Sequence, residues 1–210
     1  MNLPNKLSLA RIFAVPIFFV LVFGGEFFYG PGAHKAAGVF RALALVLVIV
    51  VSFTDWLDGK IARDRKIETN LGKLLDPLAD KVFVAAALVA LVELRVVPAW
   101  AVILVIGREF LVTGLRQLAL ECGRLIAADR LGKHKTGWQL GLIITAMTIL
   151  TARDFLRAAG VWDEPLVTQY HANAIFTGML WIPLSVTLVL TVLSGGNYLL
   201  ANKDLFKGQL

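Results

Sequence analysis

Long apolar runs separated by short polar segments dominate the hydrophobic pattern of this chain. The last run is the clearest, because Ala174 to Asn202 contains no charged side chain. A stretch of about 20 apolar residues is long enough to cross a bilayer as a helix. The pattern predicts an all-α polytopic membrane protein with about six transmembrane helices, near residues 8–28, 37–57, 78–95, 97–117, 136–153 and 174–199.

Composition supports the same class. Hydrophobic residues make up 58% of the 210 residues, and the mean hydropathy is +0.73, whereas soluble domains contain about 45–50% apolar residues. We therefore expect a single membrane domain over residues 1–210, with lipid rather than nucleic acid as its surroundings and partner. Cys122 is the only cysteine, which excludes an internal disulfide and a cysteine-based metal site.

The distribution of Lys and Arg predicts the orientation. Fifteen of them lie at the two termini and in the segments after the second and fourth runs, and five lie in the other connections. Because cytoplasmic segments carry the excess of basic residues, we expect a multi-pass protein of the cytoplasmic membrane with both termini inside. Residues 117–135 are too polar to span and predict a short interfacial amphipathic helix. Residues 153–171 predict an outer loop, and no residue in it suggests a catalytic or binding role.

Four carboxylates are attached to strongly apolar sequence on both sides. Asp55 and Asp58 are three residues apart, and Asp76 and Asp80 are four apart, so each pair shares a face if both segments are helical. A polar link over residues 64–71 would let the two helices run antiparallel and bring all four acids together. Clustered acids repel one another unless cations lie between them, and oxygen ligands suit Mg2+, Mn2+ or Ca2+. This pattern predicts a divalent metal site near the cytoplasmic surface.

Asp76 has a simpler alternative interpretation. Proline is favoured in the first turn of a helix, so Asp76 could merely cap a helix that begins at Pro77. Capping would explain Asp76 but not the compatible positions of the other three acids.

Small residues accompany the acids. Gly59 and Ala62 continue the first acidic face, and Gly72 precedes the second pair. Their size leaves a groove in which a bulky phosphorylated ligand can lie against the backbone beside a metal that bridges carboxylate and phosphate. Arg63 shares the carboxylate face, where it can orient an aspartate or hold a phosphate.

The fixed positions Asp-x2-Asp-Gly-x2-Ala-Arg-x8-Gly-x3-Asp-x3-Asp, from Asp55 to Asp80, resemble the motif of the CDP-alcohol phosphotransferases. Residues 2–11, 54–59, 74–81 and 108–116 are similar to the subfamily whose acceptor is glycerol 3-phosphate. The resemblance implies metal-dependent transfer of a phosphatidyl group from CDP-diacylglycerol to glycerol 3-phosphate, with release of CMP. It also implies Mg2+, with Mn2+ as the alternative, in a pair of ions, and a homodimer.

The resemblance also implies roles for particular residues. Asp55, Asp58, Asp76 and Asp80 would hold the metal, and Asp80 would also accept the proton of the attacking hydroxyl. CDP-diacylglycerol would contact Asn5, Asp55, Asp58, Gly59, Ala62, Arg63 and Gly72. Glycerol 3-phosphate would contact Arg108, Arg116, Lys133 and Lys135.

Two of these roles have structural alternatives. Asn5 lies at a helix start, where it could act as a cap beside basic anchor residues. Arg108 interrupts the fourth apolar run together with Glu109, and a structural ion pair explains these two residues as well as a functional role does.

Other functions stay open at this point. The same family includes enzymes whose acceptor is inositol phosphate, serine or phosphatidylglycerol. A divalent-cation transporter would use the four aspartates as an ion pathway, but it gives Gly59, Ala62 and Gly72 no role. A non-catalytic membrane scaffold would tolerate the change of Asp80 to Asn.

Overall fold

A computed structural model describes residues 3–27, 32–65, 70–121, 130–161 and 166–202, and their side chains over residues 9–27, 32–54, 79, 81–119, 132, 134–161 and 174–202. In these residues the fold is helical and contains no strand, which confirms the all-α prediction. A short 3-10 helix, Gly24–Phe27, follows the first helix. The long helices are α1 Leu3–Phe23, α2 Ala33–Arg65, α3 Asn70–Glu93, α4 Ala99–Glu121, α5 Arg130–Ala158 and α6 Leu166–Ala201.

Four stretches in this part of the chain are long and apolar enough to cross a membrane: Leu9–Phe27, Ala33–Thr54, His134–Ala158 and Ala174–Ala201. Their outward faces carry large exposed apolar side chains, such as Phe13 on α1. Such faces suit a lipid surrounding, and the chain is a multi-pass membrane protein. Within the described residues α3 and α4 do not meet the same criterion, so two of the six predicted spans lack this support.

Small side chains let the helices approach closely. Ala44 of α2, Ala87 and Ala90 of α3, and Ala146 of α5 are fully buried. Close backbone approach of this kind is how helices pack in a membrane, where no hydrophobic force drives them together. The main contacts join α2 to α5, α1 to α3, α5 to α6 and α1 to α2.

A tight turn joins α3 to α4. Arg95 has a φ of 56°, the left-handed conformation that ends many helices. Its N–H donates to the carbonyl of Val92 at 2.9 Å, and the N–H of Val96 donates to the carbonyl of Leu91 at 2.9 Å. The hairpin makes α3 and α4 antiparallel and brings the first half of α3 beside the second half of α4.

The helices extend beyond the apolar runs that predicted them. α2 continues to Arg65 and α3 begins at Asn70, so the predicted polar link is shorter than residues 64–71. The flanks of the predicted interfacial helix belong instead to α4 and α5, and residues 122–129 lie outside the described residues. The prediction of an outer loop over residues 153–171 is wrong at both ends. Residues 153–158 belong to α5, and residues 166–171 belong to α6. An α-helix satisfies its own backbone hydrogen bonds, so a charged residue does not end it.

A buried ion cluster fixes one end of the bundle, which we call the far end. Arg41 of α2 donates to the carboxylate of Asp154 in α5 at 2.5 Å, and to that of Glu26 in the 3-10 helix at 3.0 Å. Arg41 and Asp154 are buried, whereas the Glu26 side chain is about half exposed. Nearby, a Cβ atom added to Gly25 would lie 2.3 Å from the Cα of Ala37. The far end is therefore joined by charge and by direct backbone contact.

Candidate functional site

Polar side chains from four helices meet away from the far end. Lys81 of α3, Glu109 and Thr113 of α4, Lys135 of α5 and Tyr198 of α6 take part in this arrangement, which we call the site end. α5 contributes its first turns here and Asp154, near its last turn, to the far end. The site end and the far end therefore lie at opposite ends of α5.

Helices α2 and α3 carry the acidic motif. α2 is continuous through Asp55 and Asp58, and α3 is continuous through Asp76 and Asp80. The spacings of three and four residues therefore fall on helices, as the sequence argument requires. α3 begins at Asn70, so Asp76 lies inside the helix and does not cap its start. This finding removes the capping alternative.

The side chains of the motif lie outside the described residues. This holds for Asp55, Asp58, Gly59, Ala62, Arg63, Gly72, Asp76 and Asp80, and also for Asn5 and Lys133. Among the side chains that the structure does describe, no group of three His, Cys, Asp or Glu residues is close enough to hold a metal ion. The predicted metal and CDP-diacylglycerol contacts accordingly stay predictions.

Glu109 stands at the centre of the site end. Its Oε1 atom accepts a hydrogen bond from the ammonium of Lys135 in α5 and lies 3.4 Å from Nη1 of Arg108. The Lys135 side chain is completely buried, and that of Arg108 is 12% exposed. A lysine buried to this degree needs a compensating charge, which Glu109 supplies. The carboxylate thus holds two cations from two helices at one point.

Arg108 also lies close to two glycines. A Cβ atom on Gly195 of α6 would lie 3.2 Å from Cγ of Arg108, and one on Gly132 of α5 would lie 4.0 Å from Nη2. The absence of a side chain at Gly195 gives the arginine its room. Nε of Arg108 is buried and has no hydrogen-bond partner among the described residues. Buried donors in proteins usually have a hydrogen-bond partner, so this N–H group has the capacity to bind an acceptor atom of a ligand.

Lys81 ties α3 to the same turn of α4. Its ammonium donates to the hydroxyl of Thr113, and that hydroxyl donates to the backbone carbonyl of Glu109 at 2.7 Å. Lys81 directly follows Asp80, the acid predicted to be the base. The contact therefore anchors the motif-bearing part of α3 beside Glu109.

Arg116 lies two helical turns beyond Arg108, about 12 Å along the axis. Its Nε atom is 3.5 Å from the hydroxyl of Tyr198 in α6, and the side chain is exposed. Lys81 lies within electrostatic range of Glu109, Arg108 and Arg116, and Lys135 lies within range of Lys81 and Arg108. The described groups form one site with four cations and one carboxylate, a net charge of +3.

The structure thus brings together Arg108 and Lys135, places Arg116 farther along the same helix, and does not describe the side chain of Lys133. Sequence reasoning missed Lys81, Thr113 and Tyr198. Thr113 follows Glu109 by four residues, a spacing that puts both on one face of α4 and could have drawn attention to it. The partnership of Arg116 with Tyr198 spans 82 positions, and no local pattern predicts it.

Comparison with known proteins gives several matches. A family profile described as CDP-alcohol phosphatidyltransferase matches residues 1–189. The CDP-diacylglycerol--glycerol-3-phosphate 3-phosphatidyltransferase of Bacillus subtilis (strain 168) is 44% identical over 156 residues, which cover 70% of this chain and 77% of that protein.

Two more distant relatives match over nearly the whole chain. The protein of the same name from Rickettsia bellii (strain RML369-C) is 32% identical over 206 residues, which cover 98% of this chain and 97% of that protein. A probable phosphatidylglycerophosphate synthase of Mycobacterium tuberculosis (strain ATCC 25618 / H37Rv) is 32% identical over 197 residues, which cover 94% of this chain and 79% of that protein. The chain belongs to the CDP-alcohol phosphatidyltransferase family.

Proposed function

We propose that this protein transfers the phosphatidyl group of CDP-diacylglycerol to glycerol 3-phosphate, releasing CMP and forming phosphatidylglycerophosphate. The names of two relatives support both substrates, and the name of a third supports the product. The observation that carries the proposal is the cationic site end, where Lys81, Arg108 and Lys135 lie around Glu109 and Arg116 lies two turns farther along α4.

The charge of the site end favours an acceptor that carries its own phosphate. A phosphate monoester is close to a dianion at neutral pH, and the four cations that the described part of the site end sets against one carboxylate would attract and hold it. Serine, which has no phosphate, would gain little from this cluster. Arginine and lysine supply several donors each, which suits the oxygens of a phosphate group.

The motif residues fit a divalent metal. The continuous helices put Asp55 with Asp58, and Asp76 with Asp80, at spacings that share a face, and carboxylate oxygen is the donor that hard cations prefer. We propose that these four residues hold Mg2+, with Mn2+ as the alternative, as two ions. When bound, the ions would neutralise the diphosphate of the donor and the charge that develops during transfer.

The chain's own groups would carry the proton. Asp80 accepts the proton of the 1-hydroxyl of glycerol 3-phosphate as that oxygen forms a bond to the lipid-bearing phosphorus. The bond from this phosphorus to the bridging oxygen breaks, and CMP leaves with the electron pair. Asn5, Gly59, Ala62, Arg63 and Gly72 would line the nucleotide pocket, while Arg108, Arg116, Lys133 and Lys135 hold the acceptor phosphate.

We further propose that the site end faces the cytoplasm and that the protein is a homodimer. The excess of Lys and Arg in the segments around the motif supports the orientation. A site at the cytoplasmic ends of helices would meet both a lipid head group at the interface and a water-soluble anion. The homodimer rests on the family resemblance alone.

The test is CMP release by the purified protein in detergent. The reaction contains CDP-diacylglycerol and Mg2+, with glycerol 3-phosphate, inositol phosphate, serine, phosphatidylglycerol or no acceptor. We expect release that depends on glycerol 3-phosphate and stops on chelation of the metal. Asp80→Asn should reduce the rate by about 100-fold or more, since general bases contribute about 100- to 10,000-fold.

Asp64→Asn is the matched control, because this acid lies in α2 but is not one of the fixed positions of the motif. It should keep the activity of the unmodified protein. Release that requires a different alcohol would contradict the acceptor while keeping the reaction type. Absence of release with every acceptor would contradict the transferase and favour the transporter or scaffold.

A further inference from the structure

We propose that Glu109 is a positioning residue for the acceptor phosphate, an inference that rests on the proposed function. Its carboxylate fixes Lys135 and Arg108 so that their remaining N–H groups can meet a phosphate at the site end.

The geometry makes Glu109 a hub. The same atom, Oε1, accepts from Lys135 of α5 and lies 3.4 Å from Arg108 of α4. The hydroxyl of Thr113 donates to the backbone carbonyl of Glu109 and in turn accepts from Lys81 of α3. One turn of α4 therefore contacts a cation from each of three helices: Lys81 of α3, Arg108 of α4 and Lys135 of α5.

Both cations have more N–H donors than their contacts with Glu109 use. The ammonium of Lys135 has three N–H groups and the guanidinium of Arg108 has five, and each uses one toward Glu109. Nε of Arg108 is buried and unpaired within the described part of the chain. An anion bound beside Glu109 would give this donor a partner and would offset the excess of positive charge at the site end.

A structural ion pair predicts a different outcome from a positioning residue. As a charge alone, Glu109 repels a phosphate, so its removal should tighten phosphate binding. As a positioning group, its removal frees Lys135 and Arg108 to take other conformations and should weaken binding. The two roles therefore give opposite signs for the same substitution.

The experiment measures binding of inorganic phosphate and of glycerol 3-phosphate to the full-length protein in detergent by calorimetry, without turnover. We expect Glu109→Gln to weaken both by at least about tenfold, the size expected for a lost charge-assisted hydrogen bond. Glu109→Asp keeps the charge and should retain part of the affinity. Unchanged or tighter binding in Glu109→Gln, or no phosphate binding by the unmodified protein, would overturn the proposal.

A double-mutant cycle with Lys135→Gln separates positioning from general damage. If Glu109 acts partly through Lys135, the loss of phosphate affinity caused by Glu109→Gln should be smaller in the Lys135→Gln background than in the unmodified protein, with a remainder of the loss that passes through Arg108. Independent, multiplying losses would overturn the proposal. The double variant also removes a buried charge with its partner, so it stays measurable if Glu109→Gln folds poorly.

Steady-state kinetics then links binding to the reaction. We expect Glu109→Gln to raise the KM for glycerol 3-phosphate and to leave the KM for CDP-diacylglycerol within about twofold, since the residues proposed to contact the donor lie outside this cluster. An equal rise in both KM values would overturn the positioning role. Lack of turnover in the unmodified protein, with phosphate binding still dependent on Glu109, would contradict the proposed function alone.

Discussion

At the scale of single residues, the same chemistry serves different ends of the bundle. At the far end one guanidinium, that of Arg41, is held by two carboxylates, Asp154 and Glu26. At the site end one carboxylate, Glu109, is shared by two cations. A cation whose charge is matched by carboxylate partners suits a role in stabilising the fold. Cations in excess over their partners retain the capacity to bind an anion.

Asp154→Ala should destabilise the fold strongly. The substitution leaves Arg41 buried without its closest partner, and breaking a buried pair in this way costs about 3–5 kcal/mol. The measurement is the free energy of unfolding in detergent, followed by helical content. Transferase activity at low temperature should persist in the folded fraction, because Asp154 lies at the far end.

Glu26→Ala is the control for this prediction. Its side chain is 55% exposed, so its contact with Arg41 should contribute about 1 kcal/mol or less. Equal losses of stability in the two variants would show that the contacts of Arg41 are not ranked by burial.

At the scale of helices, the pattern of apolar residues predicts that a segment is helical but not where the helix begins and ends. The second predicted run ends at residue 57 and the fifth begins at residue 136, whereas α2 continues to Arg65 and α5 begins at Arg130. Lys135 illustrates the reason. Its charge made residues 117–135 look interfacial, yet it is fully buried because Glu109, 26 positions away, compensates it. A local sequence window contains no information about that partner.

The contact between the 3-10 helix and α2 depends on the absence of a side chain at Gly25. A Cβ atom there would lie 2.3 Å from the Cα atom of Ala37, which is backbone and cannot turn away as the end of a flexible side chain could. Gly25→Ala should therefore destabilise the protein by about 1–3 kcal/mol, as overpacking does. The midpoint of thermal unfolding in detergent measures the effect.

Gly178→Ala in α6 is the matched control. A Cβ at this exposed position meets nothing within 4 Å, and alanine favours a helix over glycine. This variant should be as stable as the unmodified protein or slightly more stable. If both glycine variants behave alike, the close approach at Gly25 does not limit stability.

At the scale of the whole molecule, the sequence predicts which segments are helices better than it predicts which helices pack against one another. Hydrophobic patterns predict six helical segments, and the acidic motif identifies the helices that carry the predicted metal ligands. They do not indicate that α1 packs against α3, or α2 against α5. Neighbours are set by the fit of small residues such as Ala44 and Ala146, whose partners lie far away in sequence.

The bundle has two chemically distinct ends, and its orientation can be tested directly. In a Cys122→Ser background, which lacks cysteine, His34→Cys and Ala159→Cys place single thiols on exposed far-end positions. His134→Cys and Asn202→Cys place them near the site end. Because Lys and Arg predominate at the site end, we expect it to face the cytoplasm.

A membrane-impermeant maleimide applied to intact spheroplasts should label only the first two variants, and permeabilised cells should give labelling of all four. Labelling of the site-end pair in intact cells would reverse the orientation and put glycerol 3-phosphate binding on the outer face. A mixed result, with one thiol of a pair protected, would contradict the two-ended arrangement itself.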